Sequence, residues 1–449
     1  MKTISQQLKK SLRWTSIEAF LYQTILFVHQ IFLFQKTSEQ TYGQISIIFS
    51  LIFLATTVVS LGLDQSIGPF FETIKQSKNN FKSFFITHIC SHFFISITLA
   101  TFFTYIISLF FPKIFLTNKY LLFFIPFIIV GQSFYKIIKP FLYLLFYNRA
   151  LAFLQASSII LYTAFVWIPY FYGYKICVMQ TVAPMALISI VPSAIILCIL
   201  YNFYKKLPEK DTATLPKSFH KKIIASRFFT YLTQINKLLF SNNFLVPLIA
   251  LYFGHQQAGI LKFISHIARY ISSLFRTIFG NISQSLFAAT KNMQNSIKKE
   301  VFTSLFNKLI NVFYMLGIFS CINYNKIVHF HTNTINLPIT YCYLFLFIII
   351  SENLFTVYEK WFINEEKAHF VFIFNVLFSV LTVASITILT TYNTVSSLYG
   401  ILNIIVVIRA LLFLFIINIL QLKKKDIASV KLNYMLATLC FSGLFFILF

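Results

Sequence analysis

The sequence predicts an all-α polytopic membrane protein, built as two six-helix bundles with twelve core transmembrane helices and a cytosolic N-terminus. Three observations predict it. Of 449 residues, 58% are apolar and 19% aromatic, only 11% are charged, and the mean hydropathy is +0.76. Ordinary soluble domains carry about 25% charged residues, so a water-soluble enzyme, a disordered chain and a secreted disulfide scaffold are excluded. Apolar runs of about 20 residues, the length that crosses ~30 Å of hydrocarbon, recur along the chain. The basic residues alternate between the loops that join those runs.

The runs lie at 14–34, 45–63, 84–111, 121–146, 151–171, 178–201, 228–253, 259–286, 302–323, 338–357, 368–391 and 397–420. A thirteenth, 433–449, is short for a span. The first run carries Glu18, Gln23, His29 and Gln30 and is followed by no small-residue cleavage site. It therefore reads as a span and not as a signal peptide. With the N-terminus inside, the cytosolic segments hold 24 Lys and Arg, and the outer loops hold five: Lys36, Lys113, Lys119, Lys175 and Lys326. That is the positive-inside bias. The net charge of +25 is therefore a matter of topology, and no nucleic-acid partner is expected. The cysteines (Cys90, Cys177, Cys198, Cys321, Cys342 and Cys440) form no CxxC pair, so neither a disulfide frame nor a zinc knuckle is expected.

The longest inside connection, 202–227 and ending at Arg227, divides the chain. An N-terminal bundle over 1–201 precedes it. A C-terminal bundle over 228–420 follows, and then a basic loop and the short apolar run over 421–449. Such a layout suits a two-bundle transporter made of structural repeats. A weak internal echo supports repeats. Gly43-Gln44-Ile45 opens the second span and Gly259-Ile260-Leu261 the eighth, and Gln65-Ser66 recurs as Gln284-Ser285. Pro126, Pro140, Pro169, Pro184, Pro192 and Pro247 lie in or near spans, as hinges or as the prolines membrane helices ordinarily tolerate.

Eight basic residues fall inside spans: Lys136, Lys139, Lys237, Lys262, Arg269, Arg276, Lys308 and Arg409. At the bilayer centre each costs ~2.5–3.5 kcal/mol. Lys136, Lys139 and Lys308 sit toward cytosolic ends, where they can snorkel to the interface. Lys237, Arg269 and Arg409 fall near the midplane and are expected to face a wet cavity between the bundles. Lys262, Arg269 and Arg276 are spaced seven apart. Seven residues advance a helix by about 700°, some 20° short of two turns, so the three share one face. His266 and Ser273 lie on the same stripe. A column of cations reads as a path for an anion. The alternative is that each pairs with an acid, but the acids in spans (Glu18, Asp64 and Glu352) lie near cytosolic ends. Glu18 and Asp64 are candidates for binding a coupling proton or Na⁺, and interfacial pairing with Lys or Arg is the alternative. His88 and His92 have metal-ligand spacing, and His329 and His331 lie in an outer loop, but no further ligand accompanies them. No metal and no cofactor are expected.

Thr41-Tyr42-Gly43-Gln44-Ile45-Ser46 leads into an uncharged second span that ends Leu61-Gly62-Leu63. In the second half, Tyr252-Phe253-Gly254-His255-Gln256-Gln257-Ala258-Gly259 leads into a long polar eighth span. This layout resembles the polysaccharide transporters of the multidrug/oligosaccharidyl-lipid/polysaccharide exporter superfamily. It departs from them at Ile260 and Leu261, where an aromatic is common, in lacking a proline near the end of the eighth span, and in the thirteenth run.

The resemblance implies a non-enzymatic flippase of a bacterial cytoplasmic membrane. Its cargo would be a polyprenyl-pyrophosphate-linked oligosaccharide, moved from the inner to the outer leaflet for O-antigen or capsule assembly. Its partners would be that cargo, membrane lipid and polysaccharide polymerase or assembly proteins. Arg forks match phosphate geometry. On this reading Arg269, Lys237 and Arg409 hold the pyrophosphate, Lys262 and Arg276 act as outer and inner relays, and His266 shares their face. Gln23, Gln30, Gln234, Asn236, Asn242, Asn243, Ser265, Ser272 and Asn281 offer hydrogen bonds to the glycan. Three rivals stand. A multidrug or cation antiporter of the same superfamily would want deep acids. A flippase for the peptidoglycan-precursor lipid carries the same pyrophosphate. A membrane polymerase or glycosyltransferase needs an outer catalytic platform, and the longest outer loop, 324–337, contains no acid.

Overall fold

The computed structural model describes residues 2–209, 215–239, 241–256, 258–259, 262–263, 304, 359–365 and 367–391. Among the described residues the regular elements are helices, with no strand. We label the long ones α1 (Lys2–Lys36), α2 (Glu39–Val59), α3 (Lys78–Phe110), α4 (Leu121–Leu144), α5 (Asn148–Phe171), α6 (Val178–Lys205), α7 (Lys217–Leu239), α8 (Asn242–Phe253) and α9 (Ala368–Thr391). The first six, α1 counted from Arg13, are long and apolar enough to cross a membrane. The chain divides into two compact units, Met1–Phe263 with Glu365–Phe372 and Ile264–Asn364 with Ile373–Phe449.

Local chemistry sets the helix ends in the first unit. Ser38 caps α2, its Oγ accepting from the Thr41 amide at 3.2 Å, and Ser77 caps α3 through the Asn80 amide at 3.2 Å. After α2 the backbone turns left-handed at Leu61 (φ 48°) and Gly62 (φ 72°). Glycine bears that conformation without a Cβ penalty. Gly62 is needed for space as well, because a Cβ there would lie 2.6 Å from the Arg227 carbonyl oxygen and 2.7 Å from the Tyr231 amide nitrogen.

α2, uncharged after Glu39, is the most buried of the six, and α4, α6 and α8 pack against it. α6 also packs on α4, α5 on α1, and α3 on α4. The outward faces carry large apolar side chains such as Phe94, Phe102, Phe110 and Phe123, all more than half exposed, as a lipid-facing surface requires.

Two expectations about helices are corrected. The seventh span, read as continuous over 228–253, is broken: α7 ends at Leu239 and α8 begins at Asn242, with Ser241 extended between them (φ −87°, ψ 150°). At the break Ser241 Oγ donates to the Leu238 carbonyl at 2.8 Å, satisfying one of the carbonyls left open at the end of α7. α7 also starts at Lys217, inside the stretch read as linker, so Arg227 lies within a helix. The second correction concerns α3, which contains a π turn over Phe85–Cys90. The extra residue in that turn rotates His92 away from His88.

In the second unit, Glu359, Asn364 and Asn375 are buried. Asn375 Nδ2 donates to Glu359 Oε1 at 3.4 Å, and Asn364 Nδ2 donates to the Lys360 carbonyl at 2.8 Å.

Candidate functional site

Three groups of buried polar side chains stand out in the first unit. The first is the turn after α2. Asp64 is buried, and its carboxylate accepts from Gln234 Nε2 of α7 at 3.1 Å and faces Lys136 Nζ of α4 at 3.5 Å. Ser60 donates to Gln234 Oε1 at 3.4 Å and accepts from Lys136 at 3.4 Å. Arg227 donates to the Leu61 carbonyl at 3.1 Å and to His92 Nδ1 at 2.9 Å. An arginine can only donate, so His92 carries its proton on Nε2, 3.4 Å from Ser133 Oγ. His88 turns instead to His220 at the start of α7, Nε2 to Nδ1 3.0 Å. The spacing that placed His88 and His92 together thus serves two separate contacts with α7.

The second place lies between α1, α4 and α5. The Glu18 side chain is wholly buried, and its Oε1 accepts from Lys139 Nζ at 3.2 Å and Tyr143 Oη at 2.9 Å. Turned so that its oxygen accepts from Tyr135, the Gln155 amide donates to Glu18 at 2.6 Å and accepts from Lys139. The expectation that Lys136 and Lys139 snorkel outward is therefore corrected. A buried carboxylate is costly to leave alone, and each lysine turns inward to one.

The third place surrounds the break between α7 and α8. Lys237 sits in the last turn of α7, half-buried, where the helix dipole favours a cation. Asn243, in the first turn of α8, accepts from Lys262 Nζ at 2.8 Å, and Ser50 Oγ of α2 accepts from it at 3.0 Å. Lys262 is buried, at 7% exposure. Broken helices that expose backbone groups and side-chain amides are where membrane transporters hold charged cargo. Near the α1–α2 connection, Tyr42 Oη donates to Gln30 Oε1 at 3.2 Å, and the Gln256 amide donates to Glu39.

Of the head-group and coupling-ion candidates, Glu18, Asp64, Lys237 and Lys262 are described, and they fall in these three separate places. Arg269, His266, Arg276, Lys308, Glu352, His329, His331 and Arg409 lie outside the described residues. The sequence reading missed three residues. Arg227 looked like a loop charge. Glu359 was not singled out. His29, which accepts from Trp167 Nε1 at 3.0 Å, was noted only as a polar interruption. Their signal is a polar residue on the buried face of an otherwise apolar helix, and finding that face requires knowing the partner helix.

Among the described residues, Glu209 and His255 lie outside the spans and are perturbed. The Lys78 ammonium, 2.5 Å away, holds the Glu209 carboxyl below its ordinary range through its hydrogen bond and charge. Burial, and then the charge of Lys113, holds the His255 imidazole below its ordinary value.

The chain matches no family model and no curated protein. It is similar in structure to a mutant of the Vibrio cholerae MATE transporter VcmN (TM-score 0.64, 9% identity, covering 95% of this chain and 99% of that one). It is similar to an outward-facing multidrug resistance MATE family transporter of the MOP superfamily (TM-score 0.64, 14% identity, 97% and 96%). It is also similar to the eukaryotic MATE transporter AtDTX14 (TM-score 0.64, 14% identity, 96% and 98%). The chain has the fold of the MATE transporters, an all-α multi-pass membrane fold.

Proposed function

We propose that the chain is a flippase that moves a polyprenyl-pyrophosphate-linked oligosaccharide between leaflets of a bacterial cytoplasmic membrane by alternating access. The observation that carries this reading is the state of the two buried acids in the first unit. Glu18 and Asp64 each face a lysine, at 3.2 Å and 3.5 Å. A transporter of organic cations uses a carboxylate that is open to its cargo, and these two are occupied. The same pairing weighs against Glu18 and Asp64 as sites for a coupling proton or Na⁺. The buried Lys262, the half-buried Lys237 and the arginines Arg269, Arg276 and Arg409 are the chemistry that an anionic head group needs. His266 shares the helix face of Lys262 and Arg269 in the sequence. The amides at the α7–α8 break suit a glycan.

The test is native mass spectrometry of protein purified gently from its own membranes, with and without Arg269→Glu. A co-purifying polyprenyl-pyrophosphate glycan that is lost in the variant supports the flippase, and its sugars separate O-antigen or capsule precursors from the peptidoglycan precursor. Bulk phospholipid alone, unchanged by the variant, overturns it. A second reading, multidrug or cation antiport, is supported by the likeness to a multidrug resistance transporter of the same fold. It predicts instead that organic cations bind and that Glu18→Gln or Asp64→Asn abolishes their binding.

A further inference from the structure

The two glycines of the internal echo meet. A Cβ on Gly259 would lie 3.2 Å from both the Cα and the amide nitrogen of Gly43, and 3.3 Å from Tyr42 Cδ1. A Cβ on Gly43 would overlap the His255 carbonyl group, which is backbone and cannot swing aside. Neither glycine has a left-handed φ, so neither is required by its own conformation. Glycine weakens a helix by about 1 kcal/mol relative to alanine. What these two positions gain is close approach of backbones, as at small-residue contacts between membrane helices.

We propose that Gly43 and Gly259 form a backbone seal on the outer side of the molecule, closed in this structure, and that it parts when the transport path opens outward. The inference rests on the reading of the chain as an alternating-access transporter, but not on the identity of its cargo. Three observations support a gate and not merely a packing contact. First, the seal joins corresponding positions of the two sequence halves, where the halves of a repeat transporter must separate. Second, its collar is made of contacts that can part without stranding a charge. Phe34 stacks on Phe263 at 4.1 Å, Tyr42 meets Phe34 edge-on at 5.1 Å, and the exposed Gln256 amide donates to Glu39. Third, the buried Lys262 ammonium lies further along α2, on Ser50, two turns inward from Gly43. Closure removes that cation from water and opening returns water to it, so the closed state is opposed by a desolvation cost.

The test uses a background with all six cysteines replaced by serine, carrying Ser50→Cys, in intact cells. A membrane-impermeant sulfonated maleimide is applied from outside, and Lys175→Cys serves as the fully exposed reference. The seal predicts slow labelling of Ser50→Cys. Gly43→Val, and separately the smaller Gly43→Ser, should raise the rate about tenfold, which corresponds to a shift of ~1.4 kcal/mol in the closed-to-open equilibrium. Glu39→Cys with Gln256→Cys should form a disulfide that lowers the residual labelling, with recovery on reduction. Labelling of Ser50→Cys as fast as the reference overturns the proposal. So does membrane-inserted Gly43→Val and Gly43→Ser protein that labels no faster than wild type, or a disulfide that forms without effect. If labelling behaves as expected but no polyprenyl-pyrophosphate glycan is moved, the flippase reading fails and the seal stands. If the glycan is moved and labelling does not respond, only the seal fails.

Discussion

Replacing Lys139 with methionine isolates the energetics of the Glu18 pair. The Glu18 side chain has no exposure, whereas Lys139 keeps 20%. Lys139→Met strands a buried carboxylate whose Oε1 keeps only Tyr143, at 2.9 Å, and the Gln155 amide. Removing one partner of a buried pair costs about 3–5 kcal/mol. Glu18→Gln leaves the charge on the partly exposed partner, which can turn toward the interface, and costs about 1–2 kcal/mol. The double variant carries neither charge and should fall within about 1 kcal/mol of wild type, as when buried pairs are exchanged for neutral groups. The assay is thermal unfolding in detergent, read as the monomer that survives heating on size exclusion. The expected order of midpoints is Lys139→Met lowest, then Glu18→Gln, then the double variant near wild type. Equal loss in the two single variants, or a double variant no better than Lys139→Met, would refute the burial argument.

Gly62→Ala should cost the ~1–2 kcal/mol of a left-handed residue plus a clash with the Arg227 carbonyl 2.6 Å away. Gly173→Ala, with φ +90° and nothing within 4 Å of its Cβ, should cost the conformational share alone, by the same thermal assay. His255 is held below its ordinary 6.5, so the unfolded chain binds the proton first. Its contribution to stability is full above pH 6.5 and is lost as pH falls from there through the lowered folded value. His255→Gln should flatten thermal midpoints measured across that window. Glu209, held below 4.5 by Lys78, contributes above that pH and loses its share as pH falls below it. The pair is exposed, so Glu209→Gln at neutral pH should leave the midpoint unchanged in high salt.

The helix inventory was legible in the sequence because lipid exposure forces long apolar runs and loop charge orients them. α4, α5 and α6 begin within three residues of the positions read from hydropathy. The break before Asn242 was not legible, because hydropathy averages across Ser241-Asn242-Asn243 and a polar run at a helix break looks like any polar span residue. Nor was the π turn at Phe85–Cys90, which no composition marks. For the site, residue type was legible and partnership was not. The sequence showed Lys136, Lys139, Glu18 and Asp64 at similar depth. Which lysine meets which acid depends on how α1, α2 and α4 pack. Gly43 and Gly259 appeared as an echo between halves, and their contact emerges only when α2 and the chain after α8 are placed side by side.

The most direct test of the central claim compares two cargoes in proteoliposomes containing the purified chain. One is a fluorescent polyprenyl-pyrophosphate glycan placed in one leaflet, its arrival in the other read by a membrane-impermeant quencher. The other is a fluorescent organic cation, read by its accumulation against an imposed proton or Na⁺ gradient. The account predicts that the anionic lipid crosses, that Arg269→Glu stops it, and that the cation does not accumulate. Accumulation of the cation, with the glycan lipid crossing no faster than in empty vesicles, would contradict it.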